Sequence, residues 1–256
     1  MNDEKDCAIK KVIMGLDVST KTIGITLAIL DYENCLKILQ VTHLRLKSPQ
    51  RTKGTESLFV KSLLFNEEIR KYRKYNITDV IIEEPLISSN NAETAAVLLR
   101  YNGMISQSVY NILGVVPEFI SSYEARKFAF PQLMSVRKYK KNGDIRTRSE
   151  IVHSLNKNEL VLFGDYSFDC AKKLILWNLV SERYPDIKWQ YDDNGELKDE
   201  NFDASDSLVC VLGYLNKCKY EDTEPVVTSI NKENDKSLIL YTTEFCGEKF
   251  DKKVEL

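Results

Sequence analysis

The sequence predicts an α/β fold built on a mixed five-stranded sheet, and three observations carry that prediction. Residues 11–47 contain three strand-patterned runs joined by short links. Residues 56–130 then alternate helix-period and strand-period segments, giving the order β-β-β-α-β-α-β. Finally, 256 residues at 43% hydrophobic and 29% charged suffice for one large domain with a full core.

From Lys11, KVIMGLDVS reads as a buried strand that ends at an acid, Asp17. A turn through Ser19, Thr20 and Lys21 leads into TIGITLAILDYE, β-branched and apolar on both faces. LKILQVTHLRLK, from Leu36, alternates apolar and polar and fits a half-exposed third strand, most simply in an antiparallel meander. After a polar, basic loop, residues 56–76 place Leu58, Phe59, Leu63, Phe65 and Ile69 at helical spacing. TDVIIEE (78–84) is a short apolar strand running into two carboxylates and Pro85. Asn90 and Asn91 offer a helix start for 92–113, which Gly114 closes. VPEFISSY predicts a fifth strand and EARKFAF a helical turn.

Residues 131–168 break this rhythm as a basic insertion with little periodicity. An amphipathic helix over 170–184 follows, stopped by Pro185, then an acidic turn at 192–201. An apolar helix begins at Asp203 with DASD. We expect a domain over 1–218 containing the 131–168 insertion, and an extension over 219–256 that is polar apart from SLILYTTEF, a candidate strand.

Composition excludes several chemistries. The six cysteines form no CxxC pair, and no signal-peptide pattern opens the chain, so reduced thiols and a cytoplasmic location are expected. No apolar run approaches a membrane span. The two histidines, His43 and His153, lack partners at metal-ligand spacing, which disfavours His-rich zinc sites and Ser-His-Asp triads. GxGxxG and GxxxxGK[ST] motifs are absent. Chemistry must then come mainly from carboxylates, lysines or backbone.

Acids stand where metal chemistry needs them. Asp17 and Glu83 end apolar strands, and Asp203 and Asp206 lie three apart on one helix face. Strand ends are where ligand sites assemble in α/β sheets. Convergent carboxylates repel unless cations neutralise them, and hard oxygen donors suit Mg²⁺ or Mn²⁺. Two such ions ~4 Å apart activate water and stabilise the leaving oxygen of a phosphodiester. Each acid also has a plainer use. Asp203 can be an N-cap with Asp206 as its N3 partner, Asp17 can cap the turn at Ser19-Thr20, and Glu83 or Glu84 can face solvent.

The segment GLDVSTKTIGITL resembles the first strand and hairpin of RuvC-type Holliday junction resolvases, of the RNase H-like superfamily. IIEEPLISSNNAETAAVLLRYNG is similar to that family's second acidic strand and long helix, and FDASDSLVCVLGYL to its closing Asp-x-x-Asp helix. EFISSYEARKFAF resembles the strand and short helix before the DNA-facing region. The resemblance spans most of 11–130 and 170–218. It implies an RNase H-like sheet flanked by helices and a homodimer that cuts opposed strands of a four-way junction using two Mg²⁺ ions. Motif by motif, Asp17, Glu83, Asp203 and Asp206 would be both the catalytic residues and the metal ligands. Glu83 aligns with the family acid, and alternating strand faces let only one of Glu83 and Glu84 point inward. The insertion and the extension depart from the compact family pattern in the manner of virus- and phage-encoded relatives, and leave the choice of branched substrate open.

A net charge of −2, from 36 basic against 38 acidic residues, requires any DNA-binding surface to be segregated. Arg126, Lys127, Arg137, Lys138, Lys140, Lys141, Arg146 and Arg148 stand against Asp144 alone, with Tyr139 among them to stack on a base. Lys172 and Lys173 open the next helix, where the family places basic residues. The alternative is a solvated charge run. Arg70, Lys71, Arg73 and Lys74 read as an exposed helix face. Ala96, Leu99, Gly103 and Val109 form a stripe suited either to a dimer interface or to packing on the sheet. The expected function is cleavage of branched DNA by metal-dependent hydrolysis. Two alternatives stand beside it: an actin-like kinase or ATPase, which shares the opening Asp-containing turn but needs glycine-rich motifs not found here, and a non-catalytic RNase H-like binding module, in which an acid should be missing.

Overall fold

The computed structural model describes residues 9–85, 92–231 and 235–256; the Asn90-Asn91 helix start lies outside them. The chain divides into two compact units, residues 1–125 with 177–212 and residues 126–176 with 213–256. The second unit thus takes in both the basic insertion and the C-terminal segment.

In the first unit, β1 (Ile9–Val18), β2 (Ile23–Asp31) and β3 (Leu36–Leu44) form the expected antiparallel meander. β4 (Asp79–Glu83) and β5 (Glu118–Ile120) add parallel to β1, giving the order β3-β2-β1-β4-β5. This is the mixed five-stranded sheet that the sequence predicts. The parallel links are crossovers through α1 (Gly54–Arg70) and α2 (Ala92–Leu113).

Alternation along the strands explains why β1, β2 and β4 are apolar without a polar face. Val12, Met14, Leu16 and Val18 of β1, Ile23, Ile25 and Leu27 of β2, and Val80 and Ile82 of β4 share one core with Leu58, Phe65 and Ile69 of α1 and Tyr101, Ile105 and Val109 of α2. Each such side chain contributes roughly 1.5–3 kcal/mol by leaving water. The intervening residues point to the opposite face, which α6 (Glu200–Lys219) covers over its first part. There Gly15 and Gly24 have no side chain to separate sheet from helix. A Cβ on Gly15 would stand 2.2 Å from the Ser207 carbonyl oxygen, and one on Gly24 1.9 Å from that of Asp203. The Thr26 and Ser207 hydroxyls are hydrogen bonded beside them at 2.8 Å, fully buried.

α6 begins at Glu200 rather than at Asp203, so Asp203 is an intrahelical residue and not the N-cap. The sequence places the start late because Asp-Ala-Ser-Asp has cap chemistry. The helix instead grows out of the 192–201 turn, where the Asn201 side chain exchanges hydrogen bonds with the Gln190 backbone at 3.0 and 2.6 Å.

The second unit is more ordered than its sequence suggests. β6 (Met134–Val136) pairs with β7 (Leu160–Leu162), and α4 (Arg148–Asn156) starts from a full capping box between Thr147 and Glu150. The terminal segment forms three antiparallel strands, β8 (Val226–Asn231), β9 (Leu238–Phe245) and β10 (Glu248–Glu255), where the sequence indicated only the middle one. Val136, Ile151 and Leu155 close a core with Ile239, Tyr241 and Val254, so the insertion and the terminal strands are packed as one body. The buried Tyr241 hydroxyl hydrogen bonds with the Ser135 hydroxyl at 2.7 Å and accepts from the Val136 amide at 3.0 Å. The remaining helices, α3 (Ser122–Ala129) and α5 (Lys172–Arg183), carry the chain between the units. Among the described residues the cysteines form no disulfide, and no helix is long and apolar enough to cross a membrane.

Candidate metal centre and basic surface

Strand register brings the first two acids together. Leu16 of β1 pairs with Ile82 of the parallel β4, so the next residues, Asp17 and Glu83, lie side by side at the strand ends. Both share a face with Gly15 and Ile81, the face that α6 covers. On its other side Asp17 pairs with Gly24, whose missing side chain admits the backbone of α6 at Asp203. One helical turn later comes Asp206, only 5% exposed. Carboxylate oxygens of Asp17, Glu83 and Asp206 all lie within 4.8 Å of one another. Glu84 is exposed, and its amide donates to the Ile120 carbonyl at 2.8 Å.

Asp203 is on the same helix but outside this triad; its Oδ2 accepts a hydrogen bond from the Thr22 hydroxyl. Thr22 is itself set by the turn after β1. The Ser19 amide and hydroxyl both donate to the Thr22 carbonyl, at 3.0 and 2.8 Å, and the Thr22 amide donates back to the Ser19 Oγ at 3.0 Å. Lys61 of α1 ties down the same turn by donating from Nζ to the Thr20 carbonyl at 2.6 Å.

Several neighbours carry no sequence signal of a role. Cys210 directs its thiol at Glu83 Oε2, 3.9 Å away, and the buried Asn102 amide reaches the Glu83 carbonyl at 3.5 Å. His43 pairs with Gly24 across β2 and β3. Burial holds its imidazole below the ordinary histidine value, with Glu200 and Asp203 pulling the other way. These residues are identifiable only once the sheet order is known.

Three adjacent carboxylates are a hard, all-oxygen donor set of the kind that suits Mg²⁺ or Mn²⁺. The buried Asp206 sharpens the fit, because acids this close are tolerated where counter-charge joins them.

The ten basic positions of the sequence divide by environment. Lys127 is 4% exposed and ion-paired to Glu224. Arg148 donates to the carbonyls of Asp235, Lys236 and Leu238, and Arg146 to the Arg137 carbonyl and the Ser154 hydroxyl, so both guanidinia tie α4 to its surroundings. The Lys138 ammonium lies 5.5 Å from the centre of the Tyr139 ring. Arg137, Lys140, Lys141 and Lys172 line one groove of the second unit. Arg126 and Lys173 are not among the groove's lining residues. On α1 and just after it, Arg70 and Lys71 pair with Glu67 and Glu68. Of the α2 stripe, Val109 is buried in the core while Leu99 and Gly103 are exposed.

No protein-family model and no curated protein sequence matches the chain. Among solved structures it is similar to RuvC of Thermus thermophilus, at 13% identity over 81% of this chain and 95% of that one, with a TM-score of 0.46. It is similar to the same organism's RuvC in complex with a Holliday junction substrate, at 10% identity over 82% and 95% of the two chains, TM-score 0.47. A third similar structure is the yeast mitochondrial Holliday junction resolvase Ydc2, at 14% identity over 83% and 81%, TM-score 0.46.

Proposed function

We propose that this chain is a metal-dependent, structure-selective endonuclease that hydrolyses phosphodiesters in branched DNA, with four-way junctions as its main substrate. The observation that carries the reading is the carboxylate triad of Asp17, Glu83 and Asp206 within 4.8 Å at the strand ends of an RNase H-like sheet. The resemblance of 15–27, 81–103 and 202–215 to RuvC-type resolvases supports the choice of substrate.

Asp17 would hold metal together with Glu83 and Asp206, and Asp203 would complete the donor set. Bound Mg²⁺, or Mn²⁺ in its place, at two ions per site, supplies Lewis-acid activation of water and neutralises charge at the leaving oxygen. The chain's own residues prepare for this. The Ser19–Thr22 turn fixes the end of β1, Thr22 orients the Asp203 carboxylate, and the close seating of α6 on Gly24 sets the height of Asp206. Attack in line leaves 5′-phosphate and 3′-hydroxyl ends. Paired incisions need two copies of the chain, and the exposed Leu99 and Gly103 side of α2 is the proposed contact.

Metal removal tests the reading. Cleavage of a labelled four-way junction should require Mg²⁺ or Mn²⁺, stop in EDTA and resume on adding back either ion. In Ca²⁺ the junction should be bound without being cut. Cleavage undiminished by EDTA would overturn the metal assignment, and tight ATP binding without nuclease activity would favour the kinase-like alternative.

A further inference from the structure

We propose that the basic groove of the second unit is a receptor for an unpaired nucleotide of a DNA strand, with a base stacked on its aromatic wall and the flanking phosphates on its rim. That the strand is DNA rests on the function proposed above; the recognition chemistry is read from the groove itself.

The groove encloses about 490 Å³, a size that ligand pockets commonly have. Its rim carries Arg137, Lys140, Lys141 and Lys172, and no acid is among its lining residues. Lys140 is shared with Glu150 at 3.1 Å. Arg137 and Lys141 are exposed and form no ion pair among the described residues. Two of these cations lie on a small hairpin, bridged between Tyr139 and Ile145, that lifts Lys140 and Lys141 together.

The wall is aromatic and part of it is held open. Phe168 is 70% exposed, unusual for a phenylalanine, and Tyr166 is 36% exposed. Beneath them Phe163 is buried, 5.9 Å from the Tyr166 ring in an edge-on pair and with the Lys172 ammonium 5.9 Å from its centre.

The backbone under this wall is strained and locked. Phe163 has φ of +59°, a left-handed conformation costly for a bulky residue. Its amide donates to the Leu133 carbonyl at 2.8 Å, and the Lys138 amide donates to the Gly164 carbonyl at 2.7 Å. A Cβ on Gly164 would stand 2.4 Å from the Ser135 carbonyl oxygen, so only glycine lets this turn lie against β6. A turn held at such cost fixes where the segment bearing Tyr166 and Phe168 leaves β7, and so where their rings can meet a base. Cations around exposed rings match a strand that offers phosphates and a π-face in alternation.

The test uses the full chain in EDTA, with fluorescence anisotropy of a labelled single-stranded oligothymidylate read across a salt series. Phe168→Ala should weaken binding roughly tenfold or more with the salt slope unchanged. An abasic strand of the same length should bind the wild-type chain as weakly as the intact strand binds that variant. Replacing Arg137 and Lys141 together by Gln should instead lower the slope of log K against log salt by about 1.4. Because Phe168 is exposed, the melting temperature should hold, which separates lost stacking from lost folding. Phe168→Ala binding within twofold of wild type, or equal binding of abasic and intact strands, would overturn the proposal. Base-dependent binding by a chain that cuts no junction would support the groove and defeat the nuclease reading. Junction cutting with no effect of Phe168→Ala on strand binding would do the reverse.

Discussion

Asp17→Asn is expected to reduce junction cleavage in Mg²⁺ by at least about 10²–10³-fold while leaving the fold intact. Asp17 pairs with Gly24 on one side and stands beside Glu83 on the other, so both neighbours of its carboxylate are fixed by sheet register. The amide keeps the shape and removes one of the three carboxyl groups whose oxygens lie within 4.8 Å of one another. Repulsion in the metal-free protein then falls, and its melting temperature should stay level or rise. Junction binding in Ca²⁺ should remain within a few-fold of wild type. The assay is single-turnover cleavage alongside thermal denaturation in EDTA. Full activity in this variant would remove Asp17 from the site.

Gly24→Ala is expected to impair stability and activity together. The new methyl group would stand 1.9 Å from the Asp203 carbonyl oxygen, a backbone atom that moves only if α6 moves. Overpacking of this kind costs about 1–3 kcal/mol where side chains can give, and the rigid contact here puts the cost at about 3 kcal/mol or above. Lifting α6 also displaces Asp206 from Asp17 and Glu83. The melting temperature should drop by roughly 6–12 °C, and cleavage should fall even at temperatures where the variant remains folded. A variant that melts and cuts like wild type would show that α6 does not seat on β2.

These two residues show how much of the site could be read from sequence. Asp17 and Glu83 end apolar runs whose alternation puts them on one face, so strand pattern and order suffice to bring them together. Asp203 and Asp206 pose a harder problem. At i and i+3 they share a helix face, and which one meets the strand acids depends on the height and rotation of α6. Gly15 and Gly24 control both, and a lone glycine inside an apolar run does not announce what passes over it. The late helix start has a similar origin, since Asp203 has the chemistry of a cap in a position that contacts outside the helix made interior.

The second unit was hidden for a different reason. β6 and β7 are three residues each, too short for any period. β10 reads EKFDKKVE, and Val254 is its one buried side chain. The core that joins insertion to extension is assembled from segments more than a hundred residues apart, such as Ser135 and Tyr241, and local pattern is blind to it. Thr147 and Glu150 form a capping box in that stretch, but with no apolar period behind it the pair alone does not predict α4. Net charge misleads in the same way. A sum of −2 conceals a groove whose charged lining residues are all basic and, elsewhere, a cluster of three acids.

The most direct test of the central claim is the fate of a four-way junction labelled on each strand in turn, incubated with the wild-type chain and Mg²⁺ beside a linear duplex of the same sequence. The account predicts nicks on two opposed strands of the junction, little or no cutting of the duplex, and nicked products that DNA ligase reseals, because the ends are 5′-phosphate and 3′-hydroxyl. Equal cutting of junction and duplex, or nicks that ligase cannot seal, would contradict it.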